Sequence, residues 1–183
     1  MQCLPVPEYS ALIVIDAQER LCPAMLELEE RLTMLRRAVQ VAGLLQVSVV
    51  VTEQYPQGLG PTVSTIAEVL PKGCRRVEKT SFSSWCCADF ATAIEALAPR
   101  ALVLAGMEMH VCVQHTALDA LARGYEVILL ADAVCSRRAL DRETSLAYLR
   151  QQGALITTVE ALAFAWVKDS RHPKFRDLVR IVK

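Results

Sequence analysis

The chain has 183 residues, of which 53% are hydrophobic and 22% charged. That is enough apolar side chain for one buried core and too little length for two, so a single domain over residues 1–183 is expected. Twenty Lys and Arg balance twenty Asp and Glu, which argues against nucleic-acid binding through a basic excess and against a disordered, self-repelling chain.

Seven cysteines, at positions 3, 22, 74, 86, 87, 112 and 135, follow neither a disulfide framework nor a zinc-ligand spacing. The opening MQCLPVPEYS has an acid, two prolines and no basic start, unlike a secretory signal or a transit peptide. No apolar run approaches the roughly 20 residues of a membrane span. Reduced thiols, no membrane partner and a cytoplasmic location are expected, with a mitochondrial one left open.

Taken along the chain, short β-branched runs alternate with longer amphipathic ones. Ala11 to Ile15 (ALIVI) reads as a strand buried on both faces. From Leu26 to Leu45 the apolar residues fall at helical spacing, with Glu29, Glu30, Arg36 and Arg37 on the other face. Val47 to Val51 is the second strand, followed by a Pro- and Gly-rich loop, TEQYPQGLGP. Ser64 to Leu70 is a short helix, Arg75 to Glu78 a weak strand, and Asp89 to Leu97 a helix. Ala101 to Ala105 is the fourth strand, Val111 to Arg123 a helix, and Glu126 to Leu130 the fifth strand. A helix from Asp141 to Gln152 precedes a sixth strand, Ala154 to Thr158. Thr157 and Glu160 suit a capping box for a helix from Val159 to Lys168, and the tail has room for one more short helix. Six strands with helices between them predict an α/β fold with a parallel sheet covered on both faces.

Sites in such sheets lie at the carboxyl ends of strands. Asp16 follows the first strand, Lys79 the third, and Cys112 opens the helix after the fourth. Each alone has an ordinary reading: a capping carboxylate, a solvated lysine, a buried thiol. One crevice can hold all three, with Cys112 as nucleophile, Asp16 as proton shuttle and Lys79 as the cation that lowers the thiol pKa. The start of a helix favours a thiolate as well, so Cys112 is expected to be the most readily alkylated cysteine. His110 and His115 flank it as supporting or surface residues. Gln18 either contacts substrate or caps locally. Tyr55 and the Gly58–Gly60 loop wall a pocket or form a turn. Phe82 and Trp85 line its mouth, fill a core gap or meet another subunit. Cys86 and Cys87 read as packing residues. No G-x-G-x-x-G follows the first strand, so no dinucleotide site is expected.

VIDAQ, Lys79 in EKTSF, and GMEMHVCVQHTALDALARGYEV with the following ADA resemble the isochorismatase-like cysteine hydrolase family. TEQYPQGLGPT and CSR after ADAV are similar to its isochorismatase-domain-containing subfamily. The resemblance implies a Rossmann-like three-layer α/β/α sandwich on a six-stranded parallel sheet, with Asp16, Lys79 and Cys112 as the catalytic triad. It also implies a cis peptide at Met107–Glu108, which would aim the amides of Glu108 and Cys112 as an oxyanion hole. Met109 stands where relatives commonly have threonine and is counted with Gln18, Tyr55, Phe82 and Trp85 as substrate-facing. Metal-using relatives carry histidines after the second strand; this chain has none there, so neither metal nor cofactor is expected.

The function expected is hydrolysis of an amide, imide or related C–N bond in a small molecule through a covalent acyl-enzyme. The alternatives are a vinyl-ether hydrolase of the isochorismate type and a non-catalytic oligomeric scaffold. A nuclease is disfavoured by the charge balance and the lack of a carboxylate cluster. A homo-oligomer, dimer or larger, is expected, with Trp85, Phe164 and Trp166 as candidate contacts.

Overall fold

A computed structural model describes residues 6–183; Cys3 lies outside them. In chain order come β1 (Ser10–Ile15), α1 (Leu28–Leu44), β2 (Ser48–Gln54), the short α2 (Pro56–Leu59) and α3 (Ser64–Ala67), β3 (Arg75–Lys79), α4 (Ala88–Leu97), β4 (Ala101–Met107), α5 (Gln114–Ala122), β5 (Glu126–Cys135), α6 (Ala139–Gln151), β6 (Leu155–Thr157), α7 (Val159–Val167) and α8 (Phe175–Val182). The strands form one parallel sheet in the order β3-β2-β1-β4-β5-β6. That is the Rossmann-like order, which reverses between β1 and β4 and leaves a crevice at their carboxyl ends.

β1 and β4 are buried along their whole length because helices cover both faces. Alternate side chains therefore enter different cores. Leu12 and Val14 pack with Val39, Leu162 and Leu178, from α1, α7 and α8. Ala11, Ile13 and Ile15 pack with Phe90, Ala117 and Leu149, from α4, α5 and α6. The tail helix is α8, whose Phe175 ring lies 6.1 Å from Phe164 of α7. Phe164 therefore packs within the monomer, while Trp85 and Trp166 are 8% and 6% exposed. The two tryptophans are thus buried within the fold, while Phe164 is only partly buried.

Two strands run further than their apolar cores predict. β2 continues through Thr52, Glu53 and Gln54. The Glu53 carboxylate, turned to the opposite face, accepts from the amide and hydroxyl of Thr62 at 2.8 and 2.6 Å. β5 continues to Cys135 because its pairing with β4 slips between Leu104 and Gly106. The extra residues need partners for their carbonyls. Arg142 donates to Ala131 and Val134, and Arg31 to Asp132 at 3.4 Å. The Asp132 carboxylate then accepts from the Val159 amide at 3.0 and 3.2 Å, and burial pushes its pKa up. β6 is shorter than expected. The side chain capping α7 is Thr158, not Thr157, and it accepts from the Ala161 amide at 3.3 Å. Among the described residues no helix is long and apolar enough to cross a membrane.

Gly106 of β4 pairs with Ile15 of β1, and its φ is +118°. A Cβ there would lie 2.1 Å from the Ile15 carbonyl oxygen. Gly106→Ala is expected to cost about 3 kcal/mol or more of unfolding free energy. Gly124→Ala, also at positive φ but with open space around it, should cost about 1 kcal/mol. Urea denaturation of both variants checks the difference; equal losses would show that the contact with β1 is not the constraint.

Candidate active site

Asp16 directly follows β1 and takes a left-handed backbone conformation, φ 48°, which aspartate tolerates better than most residues. Its amide donates to the Thr52 carbonyl at 3.1 Å. Lys79 ends β3, in register with Gln54 of β2. With β2 between them in the sheet, the two side chains still meet. Lys79 Nζ donates to Asp16 Oδ2 at 2.7 Å, and neither side chain is exposed.

The remaining donors and acceptors of the pair are met by neutral groups. Lys79 Nζ donates to Gln54 Oε1 at 2.7 Å and to the Ser81 carbonyl at 3.2 Å, with the Phe82 carbonyl at 3.5 Å. Asp16 Oδ1 accepts from the Thr52 hydroxyl at 2.7 Å. Thr52 and Gln54 lie two apart on one face of β2, a pairing hidden when these residues are read as the start of a loop. The signal available was alternation: Thr52 and Gln54 continue the period of β2.

Cys112 sits in a π-helical turn, Met109–Val113, that runs into α5, where a regular helix from Val111 was expected. Its thiol interacts with both the Asp16 carboxylate and the Lys79 ammonium, so the three residues expected to act together do meet. Its titration differs from expectation. Burial is the largest influence, the Asp16 charge adds to it, Lys79 opposes both, and the thiol is pushed up to about 12. The cation does not win because Asp16 already neutralises it and the site is dry. At rest Cys112 is a protonated thiol.

The other expected site residues divide by exposure. Tyr55 and Phe82 are 54% and 58% exposed. Phe82 stands beside His115, ring centres 6.4 Å apart. Gln18 is fully buried. Its amide nitrogen donates to the Gln54 and Gly60 carbonyls at 3.0 and 2.7 Å, and its oxygen accepts from the Gln54 amide at 2.7 Å. This is the local-capping alternative. Trp85 fills a core gap, stacked on Tyr125 and edge-on to Phe90. Met109 is fully buried beside Cys112 in the same apolar cluster. The Met107–Glu108 peptide is cis. Glu108 accepts from Arg137 at 2.8 Å, and His110 Nδ1 lies 3.0 Å from the Ser136 hydroxyl, so the β5–α6 loop is tied to the nucleophile turn at two points.

A cavity of about 360 Å³, lined by Tyr55, Gln57, Glu78, Lys79, Cys86 and Cys87 among others, adjoins the site through Lys79; Asp16 and Cys112 do not line it. Among the described residues no three His, Cys, Asp or Glu side chains cluster as a metal would need.

A family model described as Isochorismatase domain matches residues 10–161. Isochorismatase domain-containing protein 2A of Mus musculus is 37% identical over 97% of this chain and 84% of its own length. Isochorismatase domain-containing protein 1 of Danio rerio is 40% identical over 97% of this chain, which spans 62% of that longer protein. A solved structure described as MAR1 ribonuclease from Caenorhabditis elegans superposes with a TM-score of 0.93 at 37% identity, covering 97% of this chain and 91% of that one. The YcaC gene product of Escherichia coli, described as an octameric hydrolase of unknown specificity, shares the fold with a TM-score of 0.87 at 22% identity, covering 96% of this chain and 94% of its own. The match runs from β1 into α7 and takes in Asp16, Lys79 and Cys112: the chain belongs to the isochorismatase domain family.

Proposed function

We propose that the chain hydrolyses an amide, imide or related C–N bond in a small molecule, with Cys112 as nucleophile. The observation that carries this reading is the buried Asp16–Lys79 pair with the Cys112 thiol against both. A thiol pushed up to about 12 needs a base at the moment of attack, and Asp16 is the carboxylate beside it. The S–H proton passes to Asp16 while sulfur bonds to the carbonyl carbon. Lys79 faces the charge that moves from oxygen to sulfur. Backbone amides at Glu108 and Cys112 are the proposed partners of the oxyanion. Asp16 returns the proton to the leaving nitrogen, then deprotonates the water that cleaves the thioester, and Cys112 recovers its proton. Tyr55 and Phe82 are the proposed substrate-facing side chains because they remain exposed.

One observation favours a second reading: the C. elegans protein described as a ribonuclease is 37% identical. Against RNA as substrate stand the zero net charge and the absence, among the described residues, of a metal-ligand cluster. A screen of small amides and imides, run beside an RNA oligonucleotide, separates the two readings. With an amide substrate, Cys112→Ala, Asp16→Asn and Lys79→Ala should each lower kcat about 10³-fold or more, and their combination little further. Mass spectrometry should find the acyl adduct on Cys112. Full turnover by Cys112→Ala would remove the covalent mechanism and favour vinyl-ether chemistry.

In the resting protein, iodoacetamide near neutral pH should label the exposed Cys86 before Cys112, which is 5% exposed. Site-resolved mass spectrometry reads the order, and faster labelling of Cys112 would show that its thiolate forms without substrate.

Self-association belongs to the same proposal, as in the octameric E. coli protein. With Trp85 and Trp166 buried, the partly buried Phe164 and the side chains of Leu140 and Tyr148 of α6, 63% and 42% exposed, are the available contacts. Light scattering at micromolar concentration should show more than the monomer mass, and a monomer alone would refute it.

A further inference from the structure

The Asp16–Lys79 pair spans β2, and the side chains that β2 places between the partners are polar. Thr52 donates to Asp16 at 2.7 Å, and Gln54 accepts from Lys79 at 2.7 Å. Thr52 is fully buried, as is Asp16. It holds the acid twice, through its carbonyl to the Asp16 amide at 3.1 Å and through its hydroxyl to Oδ1. The first tie belongs to the backbone and survives substitution. The second depends on the hydroxyl alone.

We infer that Thr52 is a positioning residue for the proposed reaction, its hydroxyl holding the Asp16 carboxylate turned between Lys79 and Cys112. The inference rests on the triad reading proposed above. A hydroxyl that donates to the charged form of a buried acid stabilises that form. The charged or titratable side chains bonded to Asp16 among the described residues are Lys79, at the end of β3, and Cys112, on the turn after β4; from β2 it meets the neutral Thr52. When the thiol proton moves, the S–H bond breaks, an O–H bond forms on Asp16, and the negative charge passes to sulfur. A carboxylate held in this orientation by Thr52 meets the thiol proton and gives it back to the leaving nitrogen afterwards. Without the hydroxyl, Oδ1 is left unpaired in a buried site and the charged form of the carboxylate loses its donor.

The test needs no substrate. The rate of Cys112 alkylation by iodoacetamide is measured against pH, residue by residue, in the intact protein. The rate should fall on the acid side, where Asp16 is protonated and cannot accept the thiol proton. In Thr52→Val, which keeps the shape and loses the hydroxyl, that acid limb should move up by about one to two pH units. In Thr52→Ser, which keeps the hydroxyl and loses the methyl, it should stay in place. An unmoved limb in folded Thr52→Val, or an equal shift in Thr52→Ser, overturns the inference; if Thr52→Val does not fold, Thr52→Ala, which also removes the hydroxyl, is read in its place. Asp16→Asn distinguishes this failure from that of the triad reading. A limb that disappears in Asp16→Asn and stays in Thr52→Val removes Thr52 alone. A limb unchanged in Asp16→Asn removes the triad reading and this inference with it.

Discussion

The contact between Lys79 Nζ and Asp16 Oδ2, 2.7 Å long and sealed from solvent, constrains everything around it. Taking two charges out of water costs several kcal/mol each, and their attraction offsets this only when the remaining donors and acceptors are also satisfied. The structure meets that condition with neutral groups. Gln54 and the Ser81 carbonyl take hydrogens of the ammonium, and Thr52 occupies the second carboxylate oxygen. The segment after β3 is held in turn, because Ser83 donates to Asp119 of α5 at 2.5 Å and the Ser84 amide to Thr116 at 3.0 Å. The loop that carries Phe82, and whose Ser81 carbonyl completes the ion pair, is thus anchored to α5.

The same constraint accounts for the character of the nucleophile. A cation already paired with a carboxylate lends little to a neighbouring thiol, and burial then dominates. The trio is close to neutral in total, a low-cost state for a dry site. In the proposed reaction, moving one proton from sulfur to oxygen would leave that total unchanged. On the other side of the crevice, Gly106 lets β4 approach β1 closely enough to deliver the turn bearing Cys112. Arg137 and Ser136 brace that turn through Glu108 and His110.

Much of the fold was legible because a parallel sheet covered on both faces demands uninterrupted apolar runs, and ALIVI and ALVLA are such runs. The turn-forming residues between them marked the helices. The ends of β2 and β5 were not legible. Thr52, Glu53 and Gln54 keep the alternation of β2 but are polar and run into a turn-rich segment, and the extra residues of β5 are held by Arg31 of α1 and Arg142 of the following α6. Trp85 illustrates the same limit. An aromatic in a loop after a strand suits a pocket mouth or a core equally well, and Phe90, Tyr125 and Arg123 decide for the core.

By itself, then, the sequence determined the order of strands and helices and placed Asp16, Lys79 and Cys112 just after strands. Both follow from periodicity along the chain, a local property. Only the tertiary structure decided which neutral groups complete the ion pair, which aromatics remain exposed, and that the thiol is protonated at rest. Each of these depends on lateral register between strands and on exclusion of water, and residues distant in sequence must be in place before either exists.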